Sequence, residues 1–220
     1  MLRLRVTFAK SGPLTYTSHL DLARIWERSL RRAGVPLAYS QGFNPRPKLQ
    51  LAAALPLGHT GAAELLDVWL EKPMPVEVFA KALVLALPDG LSISEVRQIV
   101  VEEPALPTQV VSAEYLVTVE RGEMSGEIAA RVDQVLAADE LPREWRGKPY
   151  DLRPLIERLW QEREGDGEIV LGMQLAARAG ATARPEAVLV EVLGLGEAFA
   201  RYHRRRLLTT AVDFGDGAGG

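Results

Sequence analysis

Arg24, Arg28, Arg31 and Arg32 recur at the spacing that lines one side of a helix. Just beyond them, Arg46 and Lys48 stand in Ser40-Gln-Gly-Phe-Asn-Pro-Arg-Pro-Lys48. A guanidinium binds phosphate through paired donors and an ammonium acts as a point charge, so this set suits a polyanion such as RNA. Pro45 and Pro47 fix φ and remove two donors, while Gly42 opens torsions closed to other residues. The loop is therefore expected to be rigid, with Ser40, Gln41, Asn44, Arg46 and Lys48 as candidate ligand- or RNA-binding groups. Tyr39 and Phe43 add rings on which bases could stack. A solvated helix face and a well-built turn would also account for these residues. What distinguishes the ridge is that only Glu27 lies near to offset it.

His19 and Asp21 begin the same helix, where free N–H groups gather partial positive charge and attract anions. His19 is also the candidate general acid or base, although no Ser-His-Asp order supports it. His19, His59 and His203 are far apart in sequence, and cysteine is absent. Disulfides, a thiolate nucleophile and cysteine-held zinc or iron–sulfur clusters are thereby excluded. Neither a metal nor a cofactor is expected in this chain. It carries no phosphate-binding P-loop, dinucleotide fingerprint, kinase set or nucleophile elbow.

Charge is unevenly spread. Residues 1–58 carry nine Lys/Arg against two acids, a local charge of +7. Residues 59–142 carry five basic against fifteen acidic groups, and the remainder has twelve of each, which leaves the chain at −3. An anion-binding face must therefore be local. No run of about 18 apolar residues exists to cross a membrane as a helix. Met1 to Lys10 alternates and lacks the apolar core of an export signal, so the expected location is the cytoplasm.

The elements that position these residues follow from periodicity. Arg3 to Phe8 alternates as a strand, and a helix runs from a Thr17 or Ser18 cap to Gly34, with Pro36 beyond. Strands are predicted at 47–55 and 64–71, a helix over Val76–Leu87 and a strand over Leu91–Val101. This β-α-β-β-α-β order is that of a ferredoxin-like unit. A linker at Glu102–Pro107 leads to a second such half: strand Ala113–Glu120 and helix Gly126–Ala138, then an ambiguous Pro142–Glu164 read as strand to about Arg153 with a short helix Leu155–Arg163. Strand Glu168–Arg178, helix Pro185–Gly194 and strand Ala198–Thr210 complete it. The fold class is α+β, two tandem ferredoxin-like halves at 1–102 and 113–212, joined at 103–112, with a disordered tail at 213–220.

Two further clusters stand out in the second half. Arg146-Gly-Lys-Pro-Tyr-Asp-Leu-Arg-Pro154 again joins glycine and proline to cations and an aromatic, with Asp151 and Arg153 placed to pair. Arg201, His203, Arg204, Arg205 and Arg206 make the last strand basic, the pattern of a sheet edge guarded against unwanted pairing, with a second anion-binding surface as the alternative.

Ser18-His-Leu-Asp21, Arg31-Arg-Ala-Gly34, Tyr39-Ser-Gln-Gly-Phe-Asn-Pro45, Leu55-Pro-Leu-Gly58 and Tyr150-Asp-Leu-Arg-Pro-Leu-Ile156 together resemble the radical-SAM-linked protein family. This is a bacterial domain family with no assigned molecular function. The family usually has His between the two prolines where this chain has Arg46. The resemblance implies a partner, a cobalamin-binding-type radical SAM protein encoded nearby or fused. It further implies a non-catalytic accessory or substrate-docking role, with RNA or a ribonucleoprotein as substrate. Two other readings stand beside it. Tandem ferredoxin-like halves resemble CRISPR RNA endonucleases, which would make the chain a metal-independent RNA-processing enzyme with His19 as base and Ser40 or Tyr39 assisting. A protein-binding scaffold, its basic face meeting an acidic partner, is the third.

Overall fold

Alternation of Leu4, Val6 and Phe8 with Arg3, Arg5 and Thr7 produces the expected first strand, β1 (Leu2–Lys10). The structure, a computed structural model, describes residues 1–120, 128–165, 167–194 and 199–210. A 3-10 turn (Gly12–Tyr16) leads from β1 into α1 (His19–Arg32), β2 (Leu49–Leu51), β3 (His59–Leu70), α2 (Val76–Val84) and β4 (Leu91–Ile99). Then come α3 (Leu106–Gln109), β5 (Val110–Glu120), α4 (Ile128–Ala137), β6 (Pro142–Trp145), β7 (Lys148–Asp151) and β8 (Ile156–Gly165). The described chain closes with β9 (Glu168–Arg178), β10 (Ala181–Thr182), α5 (Pro185–Leu193) and β11 (Ala200–Thr209).

Nine strands form one sheet in the order β10-β9-β5-β11-β3-β1-β4, with β2 also beside β3 and β8 beside β9. Pairing is antiparallel except where Tyr202–Arg204 of β11 lies parallel to His59–Gly61 of β3. Within the sheet the first half reads β4-β1-β3-β2 and the second β11-β5-β9-β8, the same arrangement twice. The fold is thus a mixed α/β one with a large, mostly antiparallel sheet and few helices.

α1 forms because Ser18 caps it: its hydroxyl accepts from the Asp21 amide at 3.1 Å and donates to the Asp21 carboxylate at 2.7 Å. Leu22, Trp26 and Leu30 are its buried stripe, and Trp26 meets Phe8 edge-on with ring centres 4.9 Å apart. Leu4, Val6 and Phe8 belong to this core, together with Phe79 and Leu83 of α2. A second core gathers Val117, Leu171, Met173 and Leu175 of the sheet with Val132 of α4 and Val188 and Val192 of α5.

Several expected boundaries move. The helix expected over Leu155–Arg163 is instead β8, paired with β9 from Ile156 opposite Leu175 to Gly165 opposite Glu168. Register shifts between Ile156 and Arg158 and between Gln161 and Arg163 explain the misreading. A bulge inserts one residue, so buried Ile156 and Leu159 fall three apart and imitate a helical period. The strand expected over 47–55 is only Leu49–Leu51, and β3 begins at His59 rather than 64. Residues 142–151 form a hairpin of β6 and β7, apart from the main sheet. The 103–112 segment holds α3 and the start of β5, with Leu106 and Gln109 buried. The tail at 213–220 and Gly126 lie outside the described residues.

Gly172 of β9 sits under the Trp160 indole, where a Cβ would come within 2.0 Å of the ring. Gly172→Ala must push that ring off the strand. It is expected to cost about 1–3 kcal/mol in denaturant unfolding, whereas an unchanged midpoint would show the indole is free to move.

Candidate nucleic-acid interface

Exposure on α1 divides the arginines by role. Arg24 pairs with Asp21 at 3.1 Å on the surface. The Ser18 hydrogen bond, helped by Arg24 and the Arg28 charge and opposed by desolvation, holds the Asp21 carboxyl below its ordinary value. Arg32 reaches across to the Ala86 carbonyl just past α2, at 2.5 Å. Arg28 and Arg31 are exposed and make no ion pair among the described residues. Ile25, Arg28, Ser29, Arg32 and Pro88 line an open groove of about 370 Å³ beside the ridge.

The Gly/Pro loop is closed by its own backbone. Tyr39 and Pro47 form a bridge, the Ser40 amide donates to the Arg46 carbonyl at 2.8 Å, and the Lys48 amide donates to Ala38 at 2.7 Å. Ser40, expected as a ligand group, accepts the Arg46 amide at 3.0 Å and so serves the loop itself. Both stems are tied to β3: Ala38 donates to Trp69, and Trp69 donates to Lys48. Gln41, Asn44 and Arg46 are exposed, Lys48 is half-buried and Tyr39 is exposed. Phe43, at the tip, is completely exposed at 101%.

Which of these residues share a place follows from the register. Leu37 bridges Leu70, and Leu70 pairs with Leu2, so the loop hangs from the end of the sheet where β1 begins. The C-terminus of α1 is at that end, since Gly34 donates to Arg31 and Val35 to Leu30 just before the bridge. His19 lies at the other end, two residues past Thr17, whose carbonyl is near the Lys10 ammonium. The 14-residue helix separates His19 from Arg32 by about 20 Å. Arg31, Arg32 and the loop are brought together, whereas His19 stands apart from Ser40 and Tyr39.

Three cations counted toward the basic first third are interior. Arg3 and Arg5 share the Asp67 carboxylate at 2.6–3.1 Å, all three at most 1% exposed. Arg3 also donates to the Glu103 carbonyl at 2.6 Å and the Pro104 carbonyl at 3.0 Å. Lys10 is buried over the Thr15 and Thr17 carbonyls; burial lowers its pKa, with Glu64 opposing. Six of the nine cations of that third therefore remain for a surface function.

The last strand is likewise not an edge. β11 runs between β5 and β3, and Arg204 forks onto the buried Glu64, with Nε at 2.7 Å from Oε1. Its Nη1 donates to Ala54 at 3.0 Å, and against the effect of burial the Glu64 carboxylate raises the pKa of the Arg204 guanidinium. Arg201, Arg205 and Arg206 pair with Glu168 and Glu114. His203 meets the Thr60 hydroxyl at 2.8 Å. Beside them His59 stacks on Tyr202 at 4.7 Å and bonds Glu186 of α5 at 2.9 Å. Burial and the Glu186 charge push the Tyr202 phenol up to about 12. Sequence reasoning missed this buried set; Glu64 and Asp67, two acids inside the apolar β3, were its signal.

In the second half Asp151 accepts from the Leu141 and Arg153 amides, and the Arg153 guanidinium donates to the Leu136 and Ile156 carbonyls. These two residues hold backbone rather than each other's side chains. Among the described residues no three His, Asp or Glu side chains group to hold a metal ion. No helix among them is long and apolar enough to cross a membrane.

A family model described as "Uncharacterized protein conserved in bacteria" matches residues 3–185. No curated protein matches the chain significantly. Among solved structures, a Cbf5-Nop10-Gar1 complex is similar at 11% identity over 93% of this chain and 48% of that one, with a TM-score of 0.50. The archaeal box H/ACA sRNP Nop10-Cbf5 complex is similar at 10% identity over 93% and 48%, with a TM-score of 0.48. An H/ACA RNP bound to a substrate RNA containing 2'-deoxyuridine gives 11% over 91% and 47%, with a TM-score of 0.47. The chain spans about half the length of the chains it matches, and the likeness to the Cbf5-Nop10-Gar1 complex is one of fold alone.

Proposed function

We propose, from the premise that this chain belongs to the family described as "Uncharacterized protein conserved in bacteria" (DUF2344), that it is a non-catalytic, cytoplasmic accessory module that contacts RNA. Its contact face is the outer side of α1 with the 40–48 loop. The observation that carries this reading is Phe43, fully exposed at the tip of a hydrogen-bonded loop next to exposed Arg46. A phenyl ring held in water on a rigid support is disposed to stack on a base, and the free guanidinium groups of Arg28 and Arg31 supply phosphate contacts.

Two ferredoxin-like halves at 1–102 and 113–212 would form the scaffold; the repeated strand order β4-β1-β3-β2 and β11-β5-β9-β8 supports that description. The resemblance to radical-SAM-linked proteins supports a radical SAM partner. With no cysteine here, the partner would supply any iron–sulfur cluster and the chemistry.

Fluorescence anisotropy with a labelled single-stranded RNA between about 50 and 200 mM salt tests this. Arg28→Glu with Arg31→Glu is expected to weaken binding about tenfold or more and to flatten the salt dependence. Phe43→Ala is expected to weaken it about tenfold without changing the salt slope, because stacking rather than charge is lost. Affinity unmoved by both variants would overturn the reading. So would a radical SAM protein retained equally well after nuclease while RNA is not bound, which would favour a protein scaffold.

A further inference from the structure

We infer that the cavity between the β6–β7 hairpin and the start of α5 is a nucleotide pocket, which takes the base against Tyr150 and Leu155 and the phosphate on Arg184 and Lys148. This goes beyond the α1 face and does not depend on it.

The hairpin builds one wall. Arg146 and Gly147 have φ of +51° and +75°, the left-handed pair of a tight two-residue turn, and Arg146 is the one non-glycine residue with positive φ among those described. That turn sets Trp145 and Lys148 opposite each other at the cavity mouth. The Arg184 guanidinium lies 3.5 Å from the centre of the Trp145 ring, with Arg146 at 5.5 Å. Stacking fixes an otherwise free arginine in place, so little conformational freedom is lost when an anion binds. Arg184 and Lys148 are both exposed, and neither makes an ion pair among the described residues.

The cavity of about 540 Å³ falls within the range of small-ligand sites. Pro149, Tyr150, Leu155 and Ala181 give its lining apolar surface against which a base can lie, and Lys148 and Arg184 line the same cavity. Asp151 is the acid that lines it, and its Oδ1 already accepts the Leu141 and Arg153 amides. Glu186, in the first turn of α5, is turned to His59 at 2.9 Å. Lys148 and Arg184 outweigh the one Asp151 carboxylate, so the lining is net positive, and an aromatic group carrying phosphate complements it.

Calorimetry on the full chain with 5′-AMP, 5′-UMP, adenosine and inorganic phosphate tests the inference. A nucleoside monophosphate is expected to bind about tenfold tighter than adenosine or phosphate alone. Arg184→Ala with Lys148→Ala should remove about tenfold or more of that affinity, and Trp145→Ala should weaken it by releasing Arg184. All three side chains are exposed, so circular dichroism is expected to stay native. Arg28→Glu with Arg31→Glu should leave nucleotide binding unchanged, which separates this pocket from the α1 face. In that background, a 5′-phosphorylated oligoribonucleotide that binds tighter than 5′-AMP identifies the end of an RNA as the natural source. Equal affinities identify free nucleotide. No heat at millimolar nucleotide, or binding indifferent to Arg184→Ala with Lys148→Ala, overturns the inference.

Discussion

Replacing Arg204 by alanine is expected to remove about 3–5 kcal/mol of folding stability, because it strands a buried carboxylate. Glu64 is 3% exposed and faces Arg204 through both oxygens. Arg204 also holds the Ala54 carbonyl, so the segment between β2 and β3 loses an anchor at the same time. The parallel contact between β11 and β3 covers only three residue pairs, and Arg204 is in the last of them, opposite Gly61, so its pair with Glu64 extends the contact along β3. For a chain of this size the loss corresponds to a melting point lower by roughly 6–20 °C. Arg204→Met with Glu64→Leu should recover part of it, since an apolar pair avoids the desolvation that a lone charge suffers, and should stop short of the parent because buried Lys10 loses the Glu64 charge. Denaturant unfolding of the two variants decides the matter. A single variant within about 1 kcal/mol of the parent would mean that water reaches Glu64.

The outer parts of the fold and site were legible because their causes are local. Ser18, Asp21 and Gly34 delimit α1 from within a few residues, and the exposure of Arg28, Arg31, Gln41, Asn44 and Arg46 follows from helix period and loop chemistry. The interior ion pairs were not legible, because their partners are remote. Arg3 meets Asp67 and the 103–104 carbonyls, and Arg204 meets Glu64, across roughly 60 to 140 positions. An arginine on the polar side of an alternating strand looks solvated until the covering segment is known. Gly58-His-Thr-Gly61 reads as a turn, yet His59–Gly61 is strand, because β11 arrives to pair with it. Arg184 illustrates the same limit at the nucleotide pocket. It stands just before Pro185 at the start of α5, and only the fold lays it on Trp145.

The largest loss is expected at Asp67, where one carboxylate serves two buried guanidinium groups. Arg3 donates to it through Nε and Nη2 at 3.1 and 2.6 Å, and Arg5 through the same atoms at 2.8 and 3.0 Å. Asp67→Ala would leave both cations without their main counter-charge. Arg3 would keep the backbone carbonyls and the face of the Trp69 ring at 4.8 Å, and Arg5 the Gln109 amide oxygen at 3.4 Å and the partly exposed Glu103 carboxylate at 3.7 Å. Two uncompensated charges exceed the roughly 3–5 kcal/mol of one broken buried pair, so Asp67→Ala is expected to yield little soluble protein. Asp67→Asn keeps the shape and one acceptor, so it gives a measurable case with a loss of about 3 kcal/mol in denaturant unfolding. Because Arg3 fastens the carbonyls of Glu103 and Pro104, that variant should also open early to protease around residues 100–105. Cleavage there at the parental rate, with the unfolding midpoint unmoved, would show that Asp67 does not hold the two arginines. If cleavage rises while the midpoint stays, the pair secures the connecting segment and not the sheet.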